Sequence, residues 1–276
     1  FDAPAEPTNV VVLPSRTLDA VLTVSGPDGV TTTYDGTGAG DRETVLVTQQ
    51  GRHQVLVSGF ATTFGSFELS VDTLPTSAVA VDEALVGRTS GSADPAAFVF
   101  DAVAGEFVNV RVEPSTENDV WLQVIDPSGN ILEADFGGAG EPEAVAVLNA
   151  QSGRHVIVVT ASGGTFEVVV DALEVVTVVE GDVVRDRLDT TTNVFVGQIT
   201  MDEGSEMTIA VHPDEQLDPV VEVYGPDGLI DYFDEGGAGD DERAIITADV
   251  AGDYRFAVMA FSGASGEFEL TVATDD

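Results

Sequence analysis

Cysteine and lysine are both absent from the 276 residues. Without cysteine the chain has no disulfide, no thiolate metal site and no cysteine nucleophile. All ten basic residues are arginine, against 49 Asp+Glu, for a formal net charge of −39. So sparse a basic set excludes nucleic acid as a direct partner, because phosphate binding needs clustered Lys and Arg. Unaided adhesion to an anionic bilayer is excluded for the same reason. No apolar run approaches the ~18 residues of a membrane-crossing helix, so direct membrane insertion is not expected. The first residues, Phe1-Asp2-Ala3-Pro4, carry no basic segment and no apolar leader core. Any signal peptide is expected to be already gone or never included.

What is present is a hydrophobic share of 43%, too high for a disordered acidic tail. High acid without lysine fits a halophilic chain, kept soluble where brine screens its self-repulsion. An acidic secreted protein from a GC-rich genome is the plainer alternative.

The strongest signal is internal repetition. The turn Gly26-Pro27-Asp28-Gly29 recurs as Asp126-Pro127-Ser128-Gly129 and Gly225-Pro226-Asp227-Gly228. A Gly-Ala-Gly loop recurs at 38–40, 138–140 and 237–239, and an ending at Phe67-Glu68-Leu69, Phe166-Glu167-Val168 and Phe268-Glu269-Leu270. The first two landmarks repeat at offsets of 100 and 99 residues, the size of a small β-sandwich rather than of a solenoid repeat. Segments such as Val108-Asn109-Val110-Arg111-Val112 alternate apolar and polar, as half-buried strands do. Turn signals separate them every 8–12 residues, and no stretch has helical periodicity. The fold expected is all-β: three tandem jelly-roll-like sandwiches at 1–74, 75–173 and 174–276.

The order of these landmarks resembles the bacterial pre-peptidase C-terminal domain. Ala104-Gly105-Glu106-Phe107 and Glu203-Gly204-Ser205-Glu206 are similar to that family's step before its central strand. The resemblance covers the second and third units almost entirely. It implies a non-catalytic extracellular module, in some members calcium-binding and in others binding an insoluble substrate.

The first unit departs from the pattern. Phe1-Asp2-Ala3 aligns with Phe100-Asp101-Ala102, so the unit is expected to lack its N-terminal strand or strands. Such a sandwich leaves backbone groups unpaired and its core open. Three explanations stand: a piece of a longer parent chain, strand completion by another molecule, or a tolerated truncation.

Each unit also places acids around its Pro-turn hairpin: Asp19, Asp35 and Glu43; Asp119, Asp135 and Glu143; Asp218, Asp234 and Glu242. A turn centred between Pro27 and Asp28 sets residue 35 opposite about residue 20, which brings Asp19 and Asp35 together. These nine are the candidate metal ligands, an oxygen cage for Ca²⁺. The alternative is that each Asp bonds loop amides in a turn, with the remaining acids merely solvated. A paired-carboxylate glycosidase is a poor fit, because beads without a cleft make a poor enzyme. His53, His155 and Tyr254 share one position and read as packing residues, and His212 as a strand-end surface residue. Trp121 reads as core, and Tyr232 and Phe233 as contact residues beside the third acidic loop. No Gly-x-Ser-x-Gly or repeated Ser-His-Asp pattern occurs.

The expectation is therefore a non-enzymatic protein at the cell surface or outside the cell, with a structural or adhesive role. It would self-associate, as a filament or sheath subunit joined by strand completion, or belong to a longer parent chain. The alternative is a substrate-binding tail of a secreted hydrolase such as a peptidase.

Overall fold

The computed structural model describes all residues except 92, 93, 116, 227 and 276, together with the backbone but not the side chain of residue 275. The strands sort into three successive groups. The first holds β1 (Asp2–Ala3), β2 (Thr8–Pro14), β3 (Ala20–Ser25), β4 (Thr31–Tyr34), β5 (Glu43–Val47), β6 (Gly51–Arg52), β7 (Gln54–Gly59) and β8 (Phe67–Thr73). The second holds β9 (Thr76–Ala78), β10 (Glu83–Thr89), β11 (Ala96–Ala102), β12 (Val108–Pro114), β13 (Val120–Ile125), β14 (Ile131–Ala134), β15 (Glu143–Val147), β16 (Gly153–Ala161) and β17 (Gly164–Ala172). The third holds β18 (Val175–Thr177), β19 (Val183–Leu188), β20 (Val194–Met201), β21 (Glu206–Pro213), β22 (Pro219–Gly225), β23 (Gly228–Phe233), β24 (Glu242–Thr247), β25 (Gly252–Ala260) and β26 (Gly266–Asp275).

The second and third groups are complete two-sheet sandwiches of one topology. A four-stranded sheet, β10-β17-β12-β15, faces a five-stranded sheet, β14-β13-β16-β11-β9. The third group repeats this as β19-β26-β21-β24 and β18-β20-β25-β22-β23. Pairing is antiparallel except for the short edge pairs β9/β11 and β18/β20. Alternation drives the assembly. Val108, Val110 and Val112 turn inward at 0–1% exposure, and Val120, Leu122 and Val124 meet them from the opposite sheet.

Glycines admit the larger aromatics. A side chain at Gly197 would overlap the ring of Phe256, and one at Gly87 the ring of Phe166. The hairpin turns owe their shape to a left-handed glycine. Gly29 sits at φ +82 and Gly129 at φ +90. In the first turn Gly29 N–H donates to Gly26 O (3.1 Å), while Gly26 N–H donates to Val30 O (2.9 Å). This is a tight turn followed by a glycine bulge, which adds one residue to the loop. The register therefore pairs Leu22 with Tyr34 and Leu122 with Ala134, one step from the expected alignment. Asp35 consequently does not lie opposite position 20; the bulge moves it to the level of Val21. Asp227 of the third turn lies outside the described residues.

The first group is an open sandwich. Its sheets are β5-β2-β8 and β4-β3-β7, with β1 and β6 as a two-residue pair. The positions taken in the second group by β9, β10 and most of β11 have no strand here. The fragment β1 pairs Asp2 with Arg52 as Asp101 pairs with Arg154. The consequence is visible in the core. Nine buried apolar residues cluster here, none of them from β7 or β8, against twenty in each complete unit. Phe67, Leu69 and Val71 on β8 are 45%, 45% and 37% exposed, whereas Phe166, Val168 and Val170 are at 2% or less. Their third-unit counterparts, Phe268, Leu270 and Val272, are at 3% or less. Cross-strand pairing of Val10 with Val71 and Val12 with Leu69 places these β8 residues on the inner face.

Candidate functional site: an open groove and three acidic loops

The missing strands leave a groove of about 650 Å³ in the first unit. Phe1, Val55, Leu69 and Val71 line it, with His53 at its floor. His53 is 4% exposed, stacks on Phe1 (centroids 5.5 Å apart) and meets Gly51 O through Nδ1 at 3.0 Å. His155 repeats the arrangement against Phe100 at 4.9 Å, and its burial lowers its pKa. Tyr254 at the same position is 1% exposed and donates to Val250 O (2.9 Å). All three are packing residues, as read from the sequence. On both sides of the groove, β7 and β8 end their sheets and present free edges.

In the acidic loops the buried acids are the glutamates. Glu43, Glu143 and Glu242 are only 1–3% exposed. Each closes the loop before it. Thr37 donates its N–H (2.7 Å) and hydroxyl (2.6 Å) to Glu43 Oε1. Phe136 N–H reaches Glu143 Oε2 at 3.1 Å and Gly137 N–H reaches Oε1 at 2.5 Å. The N–H groups of Glu235 and Gly236 reach Glu242 Oε2 at 2.8 and 3.1 Å. The Gly-Ala-Gly loop is pinned to the strand entry by Gly40 N–H to Leu18 O, Gly140 N–H to Asn118 O and Gly239 N–H to Leu217 O, each 2.9 Å. These glycines sit at φ +81 to +86, and a side chain at Gly40 would press on the Arg16 backbone. The sequence pointed to amide-bonding Asp residues; the glutamate that follows the loop takes that role.

In the second and third units aspartates act on this buried group. Burial is the main cause raising the Glu143 pKa; the amides of Phe136 and Gly137 oppose it, and Asp135 and Asp119 add to it. Burial, then Asp234, Glu242 and Asp240, raise the Asp218 pKa. One oxygen each of Asp19 and Asp218 is buried with no partner among the described residues. The same residues contain no group of three or more His, Cys, Asp or Glu placed to share a metal ion.

A consequence in pH follows. An acid whose folded pKa exceeds its unfolded value stabilises the fold fully below the unfolded value, and loses that contribution as pH rises through the folded one. Between about pH 4 and about pH 7, wild type is therefore expected to lose melting temperature relative to Glu143→Gln. Thermal melts at fixed ionic strength check this, and parallel curves would contradict it.

Elsewhere Trp121 corrects the sequence reading: it points outward from β13 at 39% exposure. Tyr232 is exposed and donates to Asp234 Oδ2 (3.1 Å), while Phe233 leans on the third core. His212 is a surface residue 2.9 Å from Asp241. Among the described residues no helix is long and apolar enough to cross a membrane.

No family model and no curated protein matches the chain. Among solved structures it is similar to the pre-peptidase C-terminal domain of a collagenase from Bacillus anthracis. The identity is 16%, over 36% of this chain and 95% of that one, at a TM-score of 0.32. It is also similar to PliG from Aeromonas hydrophila, a periplasmic inhibitor of g-type lysozyme (13%, 37% and 97%, TM-score 0.31). A secreted protein from Eubacterium rectale, itself described only as putative, is similar over 73% of this chain and 79% of its own (9%, TM-score 0.26). The fold assignment rests on the sheets described above.

Proposed function

We propose that this is a non-catalytic β-sandwich repeat protein acting outside the cytoplasm, a structural subunit whose first unit receives a β-segment from beyond these 276 residues. The observation that carries this is the exposure of Phe67, Leu69 and Val71, whose counterparts in the other two units are buried. Open apolar edges of this kind are templates for strand addition. The second unit supplies the pattern for such a segment: β10 pairs along β17 from Glu83↔Val170 to Thr89↔Gly164, and β11 runs along β16.

The test is to fuse a copy of residues 76–99 in front of Phe1. The expected result is a stabilised first unit, protection of Phe67, Leu69 and Val71 from solvent, and loss of any assembly that depends on the open face. A fusion that melts and exchanges like the parent would sink the reading. The second reading, an accessory tail of a secreted hydrolase, fits the same open first unit. It differs in its outcome: native material would then be single particles carrying a catalytic domain.

For the acidic loops we propose Ca²⁺ held by Asp19 in the first and by Asp218 in the third, with loop carbonyls and water completing the shell, since no three carboxylates converge there among the described residues. The partnerless oxygens of Asp19 and Asp218 support this. Melting in EDTA and then in excess Ca²⁺ at constant ionic strength is expected to show a rise, worth about 2.7 kcal/mol at a hundredfold excess over Kd. An unchanged melting temperature would assign the loops to hydrogen bonding alone.

A further inference from the structure

We propose that the junction between the second and third units encloses ordered water, held between the side-chain oxygens of Asn109 and Asn193 and fixing how the third unit sits on the second. The two asparagines meet the junction reciprocally. Asn109 of β12 donates Nδ2–H to Thr191 O of the third unit (3.3 Å), and Asn193 donates Nδ2–H to Ala144 O of the second (3.2 Å). Each amide thus spends its nitrogen on a carbonyl of the other unit. Turning either amide over would set its oxygen against that carbonyl, so these bonds fix which atom is which. Both Oδ1 atoms are left buried and without a partner among the described residues. Asn109 is only 6% exposed, although it alternates with Val108 and Val110 and so points out of its own sandwich. A buried amide oxygen without a donor is costly, and in folded proteins ordered water meets such groups.

Room and chemistry both fit water. Asn193, Ala144, Ala146 and Met259 line a cleft of about 200 Å³ between the two units. Ala146 is the cross-strand partner of Asn109, so the cleft borders the strand pair that carries it. Each water molecule takes about 30 Å³ in the liquid, which leaves space enough. A metal ion fits less well. Arg111, two residues along the same face of β12, brings a positive charge, and its buried Nε lies 3.0 Å from Glu113 Oε1 but off the hydrogen-bond line. Water donates to the asparagine oxygens and accepts from that N–H; a cation does only the first and is repelled by the guanidinium.

Asn9 repeats the position at the first junction. It stands at the 100-residue offset of the repeat, is 6% exposed and also holds a buried Oδ1 without a partner among the described residues. Across from it on β5 is Leu46, which packs on the second unit. A polar group buried at the same place in two junctions selects one docking geometry. Rotating one unit on the next would strip the amide of its partners while leaving it desolvated.

A crystal structure of the full chain that resolves waters, with a double-mutant cycle beside it, tests this. Water is expected at about 2.7–3.0 Å from Asn109 Oδ1 and from Asn193 Oδ1 in every copy. Empty space there would overturn the proposal, and so would an anomalous peak after rubidium replaces potassium, which would make the guest a cation. Asn109→Leu, Asn193→Leu and the double variant are expected to lose melting temperature non-additively, the second substitution costing less than half of what it costs alone, because the first already expels the water. Additive losses would overturn the shared water.

Discussion

Replacing Leu270 by alanine is expected to cost about 2–5 kcal/mol, and replacing Leu69 under about 1 kcal/mol, although both occupy the same place in the repeat. Leu270 is fully buried between the sheets of the third unit. Its truncation removes transfer energy and leaves a cavity that close-packed neighbours fill only partly. Leu69 pairs with Val12 across the strands but is 45% exposed, because no strand lies beyond β8. Its truncation removes atoms already in contact with water. Urea unfolding at constant high salt measures both, and equal losses would mean that the first core is closed. After strand completion, by fusion or by a partner, Leu69→Ala is expected to become as costly as Leu270→Ala. That change of cost with assembly is the signature of an acceptor groove.

Phe107→Ala is expected to cost about 3–5 kcal/mol and to separate the melting of the second and third units. Phe107 belongs to the second unit but is buried to 5% exposure by the third. Tyr224 meets its ring edge-on at 5.4 Å, and the Arg255 guanidinium lies 5.3 Å from its centroid. Arg255 also donates to Gly105 O (3.0 Å) and to Gln198 Oε1 (3.0 Å). Asn109 and Asn193 reach across the same junction, to Thr191 O (3.3 Å) and Ala144 O (3.2 Å). A junction so packed couples the units, as neighbouring repeats couple in an array. Calorimetry checks this: one joint transition in wild type, two in the variant. Two transitions already present in wild type would show that the junction carries little energy.

The repeat, the all-β class and the open first unit were legible because each has a local signature. Alternation gives strands, Pro-Gly pairs give turns, and the landmark offsets give the unit. The register of the hairpin was not legible to the last residue. Gly29 looked like part of a symmetric turn, whereas its left-handed conformation makes it a bulge. The role of Glu43, Glu143 and Glu242 was half legible. Their recurrence was visible, but a charged residue in an acidic loop reads as solvated until burial is known. Trp121 was misread because a large aromatic on an alternating strand reads as core, and only the phase set by Val120, Leu122 and Val124 turns it outward. The junctions were illegible in principle. Leu46 and Ala146 alternate like any outward residue, and only the placement of the next unit shows that Leu46 packs against Val156 and Val158 and Ala146 in the cluster of Phe107 and Tyr224.

Hydrogen exchange on β7 and β8, compared between the isolated chain and native material kept in its own salt, tests the open-groove reading most directly. In the isolated chain the edge amides of β8 are expected to exchange fast, while β17 and β26, flanked on both sides by strands, exchange slowly. In native material β8 is expected to become as protected as β17 and β26. A β8 that exchanges as fast in native material as in the isolated chain would show that nothing completes the first sandwich, and would contradict the proposal.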